Sequence, residues 1–69
     1  AKFEAAVETW RRAESLQPNN PVIHKYLTMA LCDLGRYEEA LEQAKLCEEN
    51  GGRLDPGTIR KLTERPPAR

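Results

Sequence analysis

The feature that most constrains this chain is an internal repeat. A shift of 34 residues superposes Phe3–Glu8 on Tyr37–Glu42, and Glu4, Ala6, Glu8 and Glu14 fall on the identical Glu38, Ala40, Glu42 and Glu48. In the same register Phe3 meets Tyr37, Val7 meets Leu41 and Ala13 meets Cys47. Self-similarity at such a period marks a repeat architecture, whose units cannot bury their apolar faces alone and must stack. The alternative is a low-complexity helix rich in Glu and Ala. The number of positions matched in one register weighs against it.

Each copy carries the spacing of an amphipathic helix. Phe3, Ala6, Val7, Trp10 and Ala13 recur at three- and four-residue steps, and Leu16 extends the stripe. Pro18-Asn19-Asn20-Pro21 then reads as a turn, with Asn20 as N-cap and Pro21 at the first helical position, where its missing N–H costs nothing. The second helix has Ile23, Tyr26, Leu27, Ala30, Leu31 and Leu34 inward, and Gly35 stops it in a left-handed conformation. A third helix runs from about Tyr37 to Asn50, with Tyr37, Ala40, Leu41, Ala44 and Cys47 inward and Gly51-Gly52 after it. Asp55-Pro56 repeats the opening of Asn20-Pro21 at a spacing of 35, so a short fourth helix is expected from about Pro56 to Glu64. Its apolar content is thin, Ile59 and Leu62 with Leu54 before it, and Pro66 and Pro67 stop it.

Size explains why the pieces need one another. A chain of 69 residues buries only roughly 60% of the surface that its unfolded form exposes. Two cysteines and one histidine, far apart, supply neither a disulfide framework nor metal-ligand spacing. The missing support is expected to be more polypeptide, from a longer parent protein or from a second copy. A start without methionine, already helical, points the same way. Eleven basic and eleven acidic residues lack the one-sided footprint of a nucleic-acid binder. The apolar runs are far too short to span a membrane, and no signal peptide is recognisable. Two cysteines without evident partners lean toward a reducing, cytoplasmic location.

Taken together, these residues resemble the tetratricopeptide repeat family, built from 34-residue helix–turn–helix units. Leu27 and Ala30 in the first helix of the complete unit, Gly35 and Tyr37 at its turn and Ala40 after it carry the resemblance. Phe3, Ala6, Trp10, Ala13 and Pro18 carry it in the preceding half unit. Thr28 stands where the family often has glycine, His24 where it often has tryptophan, and Ala44 where the first copy has Trp10. The fold so implied is all-α: antiparallel helix hairpins stacked as a solenoid fragment in one unit spanning residues 1–69. Residues 1–18 would hold the second helix of a partial repeat, 19–54 a complete repeat, and 55–65 a further or capping helix. Residues 66–69 would be a tail.

In such solenoids the first helix of each pair lines a concave binding side. On a helical wheel the apolar stripe of the second helix covers roughly 140°, and Val22, Lys25, Met29, Cys32 and Asp33 gather nearly opposite. Three of those five are apolar, which solvation alone does not require. They become candidate partner-binding residues, together with Arg60, which aligns with Lys25 in the next first helix. Packing against a flanking helix or another chain is the competing reading of the same face. Lys25 and Arg60 together suit an acidic segment or a peptide carboxylate, or are simply solvated. The family's clamp for chaperone tails also needs asparagines, and Met29 occupies one such position.

His24 has no serine, cysteine or carboxylate at a partnering spacing and is expected to be packed. Cys47 lies on the apolar stripe, whereas Cys32 lies off it and is expected to be the more accessible thiol. Trp10 is expected to anchor the core. Glu38, Glu39, Glu42, Glu48 and Glu49 read as a solvated face without a catalytic pocket. The resulting expectation is a non-catalytic adaptor or scaffold module, without cofactor or metal, that binds a protein or peptide partner. The rivals are a homo-oligomerising element and a regulatory helical domain of a larger enzyme.

Overall fold

A computed structural model describes residues 2–64. The chain is all-α. Among the described residues four helices follow one another: α1 (Lys2–Leu16), α2 (Pro21–Asp33), α3 (Tyr37–Glu49) and α4 (Pro56–Thr63). The expected starts at Pro21, Tyr37 and Pro56 are all met, and each of the last three helices ends one residue earlier than expected. The proposed stop at Pro66 and Pro67 lies outside the described residues.

Local chemistry explains the boundaries. Asn20 caps α2, its side-chain oxygen accepting from the Val22 N–H at 3.0 Å, and Pro21 follows at the first helical position. Asp55 begins α4 differently: its carboxylate accepts from the Thr58 hydroxyl at 2.7 Å instead of from a backbone N–H. That hydroxyl is the main reason the Asp55 carboxyl is held below the usual carboxylate range. α2 and α3 end alike. Gly35 has φ +78° and donates to Cys32 O, while Arg36 donates to Leu31 O at 2.9 Å; Gly51 has φ +86° and donates to Glu48 O, while Gly52 donates to Cys47 O at 2.8 Å. These paired bonds form Schellman motifs, which need a left-handed residue that glycine adopts without a Cβ penalty.

The core is built around α2. This helix packs on α1, α3 and α4, while α4 also meets α3. Leu27 and Leu31 are fully buried among Val7, Ile23, Ala30, Cys32, Ala40, Ala44 and Leu62. Burying each of those two leucines contributes about 2 kcal/mol. Alanines at Ala40 and Ala44 let α3 approach α2 closely, so the small residue opposite the copy's Trp10 is a packing choice. Cys47 is fully buried, as its place on the stripe requires.

Several expected core residues lie elsewhere. Leu16 is 82% exposed, Phe3 49% and Leu41 39%, and Ile59 is also exposed. Leu16 sits in the last turn of α1, and the helices leave the outer edges of the stripe uncovered. Trp10 is half-buried and packs against the core from its margin, in place of the central anchor expected.

Candidate partner-binding face

α2 is turned relative to its apolar stripe. Its buried residues are Ile23, His24, Leu27, Thr28, Ala30, Leu31 and Cys32. On a helical wheel their centre is displaced by roughly 70° from that of the sequence stripe, toward His24, Thr28 and Cys32. The cause is the number of neighbours. An amphipathic stripe anticipates one covered side, whereas α2 is covered by three helices.

Two corrections follow. Tyr26, expected inward, is 41% exposed and stacks on Trp10, with ring centroids 4.9 Å apart and planes within 12°. Such stacked rings attract beyond their shared buried area. Cys32, expected to be the accessible thiol of the binding face, is buried. Burial pushes both the Cys32 and Cys47 thiols above their ordinary range, so neither is a ready nucleophile. Both are free thiols.

The other candidates divide. Val22 is 53% exposed and Met29 is half-buried, so both stay on the accessible strip of α2. Asp33 lies at the far end of that strip and accepts from Lys61 of α4 at 2.9 Å. This hydrogen bond is the main cause that raises the Lys61 ammonium above the usual lysine range. The strip is therefore flanked on one side by Trp10 of α1 and on the other by Lys61 of α4. Lys25 is half-buried, and its charge acts on the Cys47 thiol and the Asp55 carboxyl near the junction of α3 and α4. Arg60 is exposed and lies 3.8 Å from Glu64, the residue just after its own helix.

Sequence reading missed a buried polar cluster. His24 is 1% exposed, with Nε2 at 2.6 Å from the Pro18 carbonyl and Nδ1 at 2.7 Å from Gln43 Oε1. Gln43 Nε2 donates to Glu14 Oε2 at 2.9 Å, and that oxygen is 3.4 Å from His24 Nδ1. A carboxylate therefore does partner this histidine, across ten residues and an interhelical gap. The only signal available in advance was polar: Glu14 and Gln43 sit beside the apolar stripes of their helices. Thr28, also fully buried, is satisfied within α2 by donating to His24 O at 2.7 Å.

An open depression of about 500 Å³ lies on another surface, lined by Glu4, Glu8, Arg11, Arg12 and Arg36 among others. Its charges are mixed and it includes no residue of the α2 strip. Among the described residues no group of three or more His, Cys, Asp or Glu side chains is arranged to hold a metal ion. No helix of the described chain is long and apolar enough to cross a membrane. Family models, curated proteins and solved structures were all compared with this chain, and none of the three comparisons returned a match.

Proposed function

We propose that this chain is a non-catalytic protein-binding module of tetratricopeptide-like construction, acting as an adaptor or scaffold. A peptide or partner helix lies along the exposed strip of α2, over Val22, Tyr26 and Met29, with Trp10 and Asp33 at its margins. The observation that carries this reading is apolar exposure on the most enclosed helix. α2 is covered by three neighbours, yet Val22 is 53% and Tyr26 41% exposed. Aromatic and methionine side chains are enriched where proteins meet, because they give large contact areas and, in methionine, adaptable shape. Helix pairing also supports the solenoid part of the proposal: α2 meets α3 and α4, and α3 meets α4.

The site differs from the one expected. Cys32 drops out because it is buried, Tyr26 and Trp10 enter, and Lys25 and Arg60 stand at the periphery. The test is affinity capture with the intact protein, comparing it with a variant that carries Val22→Glu and Met29→Glu. Capture of the retained partner should fall at least about tenfold, as losing hot-spot contacts implies, with helix content and melting preserved. Undiminished capture by the variant would remove α2 as the binding face.

Self-association is a second reading, favoured by the exposure of Phe3 and Leu16 on α1. It requires a rise in mass with concentration in sedimentation equilibrium, and Phe3→Glu should abolish that rise.

A further inference from the structure

The buried cluster around His24 places more acceptors than a neutral imidazole can satisfy. The Pro18 carbonyl at 2.6 Å can only accept, so Nε2 carries a proton. At the other end, an ionised Glu14 carboxylate can only accept from Gln43 Nε2 at 2.9 Å. This fixes the Gln43 amide with its oxygen toward His24, 2.7 Å from Nδ1, so that nitrogen must donate as well. Turning the amide over would offer Nδ1 a donor, but it would set the Gln43 oxygen against the Glu14 carboxylate. Two acceptor-only ends therefore call for one proton more than the neutral ring has. The compensating charge is at hand, because Glu14 Oε2 is 3.4 Å from Nδ1.

From this geometry we propose that His24 is a proton-dependent clasp that fastens α1 to the α2–α3 pair, closed when the ring carries two protons and loosened when it carries one. Three segments meet at the ring: α1 through Glu14 and the turn after it through Pro18, α2 through His24 itself, and α3 through Gln43. Loss of the Nδ1 proton sets a lone pair against Gln43 Oε1 inside a water-poor site. Separation of the two groups, or rotation of the Gln43 amide, relieves this. Rotation of the amide breaks the Glu14–Gln43 link between α1 and α3, and separation opens the junction at the ring where α1, α2 and α3 meet.

The surrounding charges are few. On α1, Arg11 lies 4.0 Å from Glu14 and 3.9 Å from Glu39, which belongs to α3 one turn before Gln43. Arg36, before α3, holds the same Glu39 at 2.7 Å. On α2 itself, Lys25 is adjacent in sequence but directs its charge toward Cys47 and Asp55. α4 brings Lys61 to Asp33, opposite His24 on the α2 wheel. Glu14 is thus the acidic group in contact with the ring.

The sign of the effect follows. A contact that needs a proton on Nδ1 is present at low pH and is lost as the pH rises and that proton leaves. A histidine buried in its neutral form gives the opposite trend.

The experiment uses the whole chain without any partner, so its result is independent of the binding proposal. Amide exchange is followed by NMR from about pH 5.5 to about pH 8, with correction for the intrinsic pH dependence of exchange. Long-range proton–nitrogen spectra of the single histidine report the protons on each ring nitrogen. Opening of α1 should rise at least about tenfold relative to α2 as Nδ1 loses its proton, the scale of one charge-assisted hydrogen bond. Trp10 emission should move to the red in step, because its stack on Tyr26 bridges the same two helices. His24→Gln should remove the pH dependence. Glu14→Gln, which leaves the ring in place and removes one acceptor-only end, should reduce it. The clasp is overturned if α1 opening in the wild type is flat or falls with rising pH, or if Glu14→Gln leaves the full dependence intact.

Discussion

At Gly52 a Cβ would stand 2.5 Å from Pro21 Cβ and 2.7 Å from Cys47 Sγ. The second distance involves a fully buried side chain, and the first a proline ring that cannot rotate away. Gly52→Ala is therefore expected to lower stability by about 2–3 kcal/mol, the upper part of the range for overpacking, measured by urea denaturation. Gly35 tests another cause at the opposite end of the hairpin. Nothing lies within 4 Å of the Cβ position there, but φ is +78°, so Gly35→Ala should cost only about 1 kcal/mol through backbone strain. Equal losses at the two sites would contradict the crowding at Gly52. The cysteines give a further residue-scale prediction. With Cys32 and Cys47 buried and their thiols pushed up by burial, both should resist a disulfide reagent in the folded chain. Both should react at the rate of a free thiol in denaturant, and fast labelling of Cys32 under native conditions would contradict its burial. The stop chemistry at Gly35 was readable from the sequence because it is local. The crowding at Gly52 was not, because Pro21 lies 31 residues away.

Among the elements, α4 is the most lightly held. It contributes Leu62 and Thr58 to the interior and ties itself to α2 through Lys61 and Asp33. The ion pair is solvated, with Lys61 57% and Asp33 33% exposed, so Lys61→Met should leave the urea unfolding midpoint essentially unchanged. Leu62→Ala removes the apolar anchor and should cost about 2 kcal/mol, with faster amide exchange in α4 than in α3. If the lysine change loosened α4 more than the leucine change, electrostatics would be its main fastening. The existence and start of α4 were legible from Asp55-Pro56, since capping depends on neighbours in sequence. The rotation of α2 was not legible. Hydrophobic periodicity assigns one inward direction, and the 200° or so of buried arc on this helix depends on how many neighbours surround it. That difference moved Tyr26 out to the candidate site and Cys32 into the core.

At the scale of the whole molecule, the repeat predicted helices in the observed order, because both copies carry the same short-range code. The candidate site was legible only in part. Val22, Met29 and Asp33 kept their places on one strip, while the pairing of Trp10 with Tyr26 and of His24 with Glu14 joins separate helices. No spacing along the sequence encodes such pairs. The enclosure of α2 also sets an order in which the structure can come apart. α1 and α4 can each leave while the α2–α3 hairpin keeps its alanine-lined contact, but the departure of α2 leaves only the small contact between α3 and α4. Resistance to exchange should therefore form a hierarchy that peaks at Leu27 and Leu31 and falls away toward both ends. A protease acting on the native chain would then meet its first openings at the two outer helices and its last at the middle one.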